Sequence, residues 1–334
     1  MTGVNDGVVQ QETTGPGGAR TLRVARAWPA ADGVMGYVLA DRLGGELPSW
    51  TPGAHVDVHL PSAMTRQYSL SGDPADRRSW RIAVLLAEDS RGGSRYLHHQ
   101  VTAGSQLLAG MPRNNFPLVD ASRYVFIAGG IGITALLPMI AAAQATGADW
   151  RLHYGARSRM RMAFTDEVAR YGDRCRLYPQ DTAGLMPLDT ILGPAADGAA
   201  VYCCGPEPLL RAVEQRQPAR RAGSLHVERF RPRDPDAGGA GTGGDGDGFD
   251  VVLNSSGITV RVAPGQSILT ALTTAGIDVP SSCQEGTCAS CETGVIEGEV
   301  EHRDSVLTDE ERATGQTMML CVSRARSPRL VLDL

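Results

Sequence analysis

The chain contains no lysine, so all 32 of its basic residues are arginines. With 40 glycines and abundant alanine alongside, this is a compositional bias and carries no mechanism. No apolar run reaches the roughly 18 residues that suggest a membrane span. Even Tyr124 to Ile140 is broken by glycines, a threonine and a proline. No N-terminal stretch combines a basic start, an apolar run and a small-residue cleavage site, so a soluble, cytoplasmic protein is expected. Long blocks of one charge are also missing. The mild net charge of −5 argues against nucleic acid as the main partner. Seven cysteines in 334 residues make no disulfide framework. In a reducing compartment, clustered cysteines point to metal or catalysis.

What is present changes character along the chain. Residues 1–20 are polar, Gly- and Thr-rich and aperiodic, as expected of a disordered tail. From 21 to 120, short apolar runs (His55–Leu60, Arg66–Leu70, Trp80–Leu86) alternate with turn signals such as Pro52-Gly53 and Gly92-Gly93. This predicts an antiparallel β-barrel or sandwich. From 121 to 230, strand and helix alternate. Strands are predicted at Tyr124–Ala128, Trp150–Tyr154 and Ala200–Cys203, and helices at Ala135–Ala145, Ala163–Tyr171 and from Glu207. That order predicts a doubly wound parallel α/β sheet. The segment 231–248, RPRDPDAGGAGTGGDGDG, reads as a flexible linker. Beyond it, 249–334 begins with a predicted hairpin, Phe249–Val262, and a helix, Ser267–Ala275.

Cys283, Cys288 and Cys291 form C-x4-C-x2-C, and Cys321 follows after a long gap. This is the plant-type [2Fe–2S] spacing, with three thiolates from one loop and the fourth from a distant segment. Structural zinc sites pair cysteines as C-x2-C twice. Here one pair is C-x4-C and the last cysteine stands alone, so the iron–sulfur reading is preferred.

Two further sets of residues suggest nucleotide-like ligands. Arg66-Gln67-Tyr68-Ser69 offers a guanidinium for a phosphate, an aromatic face and hydroxyls. Gly92-Gly93-Ser94 lies where a helix is expected to begin, and helix-start N–H groups bind phosphate. Farther on, Gly130, Gly132, Ile133 and Thr134 belong to a Gly-rich strand-to-helix turn, AGGIGIT, suited to a pyrophosphate. Cys204-Gly205-Pro206 closes a later strand, and Arg157-Ser158 could hold an adenosine ribose or phosphate. All three segments fall at the carboxyl ends of strands, where ligands of such sheets bind.

The order RQYSLSGDP, RGGSRYLH, PRNNFPL, AGGIGIT, HYGARS, CGP and the cysteine quartet resembles the ferredoxin-reductase-like family, specifically its phthalate dioxygenase reductase type. Within that type the pattern is most similar to the reductase components of vanillate O-demethylases. The resemblance runs from Thr21 to Leu334 apart from the linker. It implies a flavin-binding β-barrel, a nicotinamide-binding α/β domain and a C-terminal β-grasp ferredoxin domain. Arg66 and Gly92–Ser94 would hold the phosphate of FMN, and Tyr68 and Ser69 would line its ring. Ser69, Thr134, Cys204 and Phe230 would surround the hydride-transfer site. Two departures are noted: Ala135 stands where relatives often have proline, and Ser71-Gly72 replaces a common Cys-Asn.

The implied activity is electron transfer from NADH through FMN and the [2Fe–2S] cluster to a terminal oxygenase, of Rieske type with a cytochrome P450 as the alternative, by a monomer without nucleic-acid or membrane partners. NADPH stays open, because Arg157 could meet a 2′-phosphate. A non-catalytic redox sensor and a single-cofactor ferredoxin carrier are the rival readings. The segment 249–334 carries 12 acidic and 6 basic residues. That excess either forms a docking face for a basic partner or merely solubilises the module.

Overall fold

The computed structural model describes residues 18–62, 64–88, 90–216, 224–231 and 248–334. The tail expected over 1–20 lies outside them up to residue 17, while Ala19 is already buried and Arg20 opens the first strand. The expected linker also lies outside them apart from its two end residues.

The first unit contains β1 (Arg20–Ala31), β2 (Val34–Asp41), β3 (His55–Leu60), β4 (Met64–Ser69), β5 (Ser79–Leu85), α1 (Gly93–Gln100) and β6 (Gln106–Ala109). Its strands pair antiparallel in the order β4-β3-β6-β1-β2-β5. β4 also contacts β5, which curls the sheet into a barrel. Alternation along each strand sends one set of side chains inward: Val56, Val58 and Leu60 of β3 meet Leu22, Leu39 and Ile82. The Tyr37 hydroxyl, inside this core, donates to the Leu97 carbonyl at 2.7 Å and ties α1 to the barrel.

The second unit contains β7 (Arg123–Gly129), α2 (Ile133–Ala145), β8 (Asp149–Ala156), α3 (Thr165–Ala169), β9 (Cys175–Pro179), α4 (Gln180–Ala183), α5 (Leu188–Ile191), β10 (Ala200–Cys204), α6 (Glu207–Gln215) and β11 (Leu225–Glu228). All its strand pairs are parallel, in the order β11-β10-β7-β8-β9. β7 explains the doubly wound form. Tyr124, Phe126 and Ala128 enter one core with α2, whereas Val125 and Ile127 enter a second with Leu210 and Val213 of α6. A strand buried on both faces must read as a continuous apolar run. The helix expected over Ala163–Tyr171 shrinks to Thr165–Ala169, because Phe164 sits at φ 59 before it, a left-handed conformation that helix backbone cannot include.

The third unit contains β12 (Phe249–Leu253), β13 (Thr259–Val262), α7 (Ile268–Thr274), β14 (Glu292–Glu297), β15 (Val300–Glu301), α8 (Asp309–Thr314), β16 (Thr317–Met319), β17 (Arg324–Ala325) and β18 (Arg329–Leu332). The main sheet runs β13-β12-β18-β14-β16, with β12 and β18 parallel and the other pairs antiparallel. β15 and β17 form a separate ribbon. Ile268, Leu269 and Leu272 of α7 pack on the sheet, the arrangement of a β-grasp ferredoxin.

Barrel and α/β unit meet at close quarters. Arg81 of β5 forks onto Glu167 of α3 at 2.8 and 3.1 Å. A Cβ at Gly53, which sits at φ +94, would lie 1.8 Å from the Phe116 carbonyl oxygen. Only glycine permits that approach.

Candidate functional site

The cysteine loop is built from unusual backbone. Gln284, Gly286 and Ala289 all have positive φ, near 55°, 71° and 58°. These kinks turn amide groups inward: Glu285 N–H and Thr287 N–H donate to Cys283 Sγ at 3.3 and 3.5 Å, and Cys283 N–H donates to Cys288 Sγ at 3.4 Å. Cys321 joins from the turn after β16, where Leu320 N–H donates to the Cys291 carbonyl. All four cysteines are buried. Their thiols touch one another, Cys283 against Cys288 and Cys321, and Cys291 against Cys321. Hydrogen bonds from the Cys288 and Cys321 thiols, foremost, and then from Thr287 pull the Cys283 thiol well below its usual range. Gathered sulfurs inside a ring of N–H donors fit a [2Fe–2S] cluster, whose sulfurs such donors stabilise.

β4 presents the second set. Alternation puts Arg66 and Tyr68 on one face of the strand and Gln67 on the other. Arg66 lies against the start of α1, so tightly that a Cβ on Gly93 would come within 2.9 Å of its Cγ. Gly92, at φ +105, turns the chain into this helix. Ser94 Oγ is occupied by Ser90 Oγ at 2.9 Å and by Ala87 N–H. Ser69 Oγ is different: it is buried and has no partner among the described residues. A buried hydroxyl left unpaired is costly. An arginine against a side-chain-free helix start, with an orphan hydroxyl farther along the same strand, fits a flavin carrying a phosphate.

The third set lies at the carboxyl ends of β7 and β10. Cys204 pairs in register with Ala128 on one side and Glu228 on the other. Gly129 and Gly205 stand back to back, and a Cβ on Gly205 would come within 2.9 Å of the Gly129 Cα. Gly132 is tighter still, its missing Cβ position being 2.2 Å from the Cys204 carbonyl oxygen. The glycines therefore let the AGGIGIT and CGP turns close on one another. The Thr134 hydroxyl, buried, donates to the Ile131 carbonyl at 2.8 Å. Ile133 is packed into the core at the start of α2. Pro206 precedes α6. Ser158 precedes a short turn, and Arg157 is exposed in an ion pair with Glu88 at 2.9 Å. Phe230, just past β11, is 41% exposed.

Several residues at these sites carry no sequence motif of their own. Glu228 Oε2 accepts from the Cys204 thiol at 3.8 Å. Burial pushes the Glu228 carboxyl up to about 8, and burial followed by the Glu228 charge drives the Cys204 thiol well above its usual value. Cys204 is thus held as a neutral thiol, unsuited to nucleophilic attack. The ferredoxin loop is seated on the barrel: Gln67 Nε2 donates to Ser282 Oγ at 3.0 Å, Asn115 Nδ2 donates to the Cys288 carbonyl at 3.1 Å, and Arg66 and Arg91 both pair with Glu285.

Comparison with known proteins agrees with this layout. The 2Fe-2S iron-sulfur cluster binding domain family matches residues 251–326. Phenoxybenzoate dioxygenase subunit beta of Ectopseudomonas oleovorans is 42% identical, over 94% of this chain and 97% of its own length. The solved structure of phthalate dioxygenase reductase, described as a modular structure for electron transfer from pyridine nucleotides to [2Fe–2S], aligns with a TM-score of 0.68 and 34% identity, over 95% of this chain and 98% of that one. An intact type IV self-sufficient cytochrome P450 monooxygenase aligns with a TM-score of 0.85 and 46% identity, but this chain spans only 41% of its length. The fold and sites define an electron-transfer oxidoreductase with flavin-, nicotinamide- and [2Fe–2S]-binding units. The chain belongs to the phthalate dioxygenase reductase family.

Proposed function

We propose that the chain is the reductase component of a multicomponent oxygenase. It draws electrons from NADH and delivers them to a separate terminal oxygenase of Rieske type. When bound, FMN accepts a hydride from the nicotinamide and releases single electrons that the [2Fe–2S] cluster carries onward. The observation that carries the reading is the seating of the cluster loop on the flavin strand, through Gln67 and Ser282. Ser282 adjoins the ligand Cys283, and Gln67 adjoins both Arg66 and Tyr68, so one hydrogen bond links the two redox sites.

The residue roles in this reading are those the motif pattern implies. Arg66 with Gly92–Ser94 holds the flavin phosphate, and Tyr68 and Ser69 line its ring. Gly130, Gly132, Ile133 and Thr134, with Cys204-Gly205-Pro206, shape the nicotinamide crevice. Arg157 and Ser158 lie at its adenosine end, and Phe230 covers the flavin. No side chain need move a proton in the hydride step, where alignment dominates. The units run 21–120, 121–230 and 249–334, joined by a linker at 231–248.

The motif pattern favours an O-demethylase of the vanillate type as the finer partner class, and a monomer working in the cytoplasm. Among the described residues no helix is long and apolar enough to cross a membrane. A cytochrome P450 acceptor is the second reading, favoured by the likeness to the self-sufficient P450 chain. The test is reduction of purified Rieske and P450 acceptors by NADH and by NADPH, with the acid-released flavin identified. Transfer to the Rieske acceptor with FMN released supports the proposal. Transfer to P450 alone selects the second reading, and absence of any NAD(P)H-dependent reduction rejects both.

A further inference from the structure

Asp57 lies on β3, is 4% exposed, and belongs to none of the motifs assigned to a cofactor. Its carboxylate collects hydrogen bonds from three different segments. Arg113, in the PRNN connector, forks onto it with Nη1 to Oδ2 and Nη2 to Oδ1, both at 2.8 Å. Gln67 of β4 donates Nε2 to Oδ1 at 2.7 Å. Ser282, the residue before the ligand Cys283, donates Oγ to Oδ2 at 2.7 Å. Gln67 also reaches Ser282 directly.

A buried carboxylate is retained when its charge is paired and its lone pairs are filled. Burial works to raise the Asp57 carboxyl, but the Arg113 fork, aided by Gln67 and Ser282, holds it below its usual range. Within the barrel, Arg113 and Gln67 already satisfy one oxygen twice and the other once. The remaining acceptor site is the one Ser282 fills, and it faces the ferredoxin loop. A planar, doubly forked acceptor allows its partner little positional freedom.

We propose that Asp57, fixed by Arg113, is a positioning residue that pins the cluster loop to the flavin strand and so sets the rate of electron transfer between the two redox sites. The kinetic half of this rests on the electron-transfer reading above, whereas the docking half stands on geometry alone. Asp57 is itself neither a cluster ligand nor a member of the flavin set; it contacts both through one neighbour each. It acts through Ser282 on the loop and through Gln67 on β4.

The experiment uses full-length holoprotein with Asp57→Asn and Ser282→Ala. Flavin and cluster content are checked by absorbance and electron paramagnetic resonance. Rapid mixing with NADH then follows flavin and cluster reduction separately, and hydrogen exchange follows the peptide covering the cluster loop. We expect NADH-to-flavin reduction to keep its wild-type rate in both variants. Cluster reduction should slow about tenfold, as expected when two reacting groups lose their alignment. Exchange in the loop should rise. A Ser282→Thr variant, which keeps the hydroxyl, should recover most of the rate. Cluster reduction and loop exchange both at wild-type levels in Ser282→Ala, with cofactors intact, would overturn the proposal. If Asp57→Asn loses a cofactor, Ser282→Ala decides alone. If the wild-type cluster is not reduced by NADH at all, the functional reading fails, and loop exchange still decides whether Asp57 docks the domain.

Discussion

The Cys204 sulfur lies 3.8 Å from Oε2 of Glu228, at the carboxyl ends of the paired strands β10 and β11. Neither residue has a local signal for this meeting. It arises because the parallel register of the two strands sets Cys204 opposite Glu228. A raised carboxyl and a raised thiol then sit together, both uncharged at neutral pH.

The pairing has a pH consequence. Burial moves the Glu228 carboxyl from its ordinary 4.5 up to about 8 in the folded chain. Between those values the folded state binds a proton that the unfolded state has released. Its contribution to stability is therefore fully present below about pH 4.5 and is lost as pH rises through 8. Glu228→Gln should flatten the fall in Tm between pH 5 and 8. A variant whose Tm falls across that range as steeply as wild type would show that Glu228 is not the titrating group.

The glycines of the nicotinamide turn should divide into two kinds. At Gly132 an alanine Cβ would meet the Cys204 carbonyl oxygen at 2.2 Å, and backbone cannot yield cheaply. Gly132→Ala should cost about 1–3 kcal/mol of stability, as overpacking does, and raise the KM for NADH. Gly130 sits at φ +53 with open space around it. Gly130→Ala should pay only local backbone strain, about 1 kcal/mol. Denaturant unfolding and NADH kinetics on the two variants check the contrast.

Arg157 and Glu88 are both largely exposed, so their ion pair adds little to stability. Arg157→Ala should leave Tm unchanged. If the residue serves the adenosine end of the cofactor, the KM for NADH should rise with kcat unchanged, the pattern of lost uniform binding. Steady-state kinetics with NADH and NADPH give the answer, and an unchanged KM for both would remove Arg157 from the site.

Much of the architecture was legible because burial writes itself into the sequence. The β7 run is apolar on both faces and forces a two-sided sheet. The strand His55–Leu60 and the 249–262 hairpin fall where alternation and turn residues place them. β9 carries no clear strand signal because CRLYP is mostly half-buried and has the charged Arg176 at its second position. α3 starts later than the expected helix because a left-handed Phe164 leaves no mark in composition.

The sites divide in the same way. The cysteine spacing and the flavin and nicotinamide turns are local patterns, readable in order. Asp57, Arg113, Ser282 and Glu228 matter through contacts between distant segments. The Asp57–Ser282 bond spans 225 positions, and no local pattern encodes it. Arg113 lies inside the PRNNFPL string and Glu228 two residues before Phe230, but neither position signals its distant partner.

The most direct test of the account is anaerobic mixing of the Cys321→Ser variant with NADH, in parallel with wild type. Flavin absorbance and the cluster's paramagnetic signal are followed separately. Cys321 comes from a segment distant in sequence from the other three ligands and from β4. In wild type the flavin should bleach first and the cluster signal should follow. In the variant the cluster should be lost or unstable, while the flavin is still reduced at close to the wild-type rate. Collapse of flavin reduction in a folded variant, or a wild-type cluster that stays oxidised under excess NADH, would contradict a chain of modular sites running from nicotinamide to cluster.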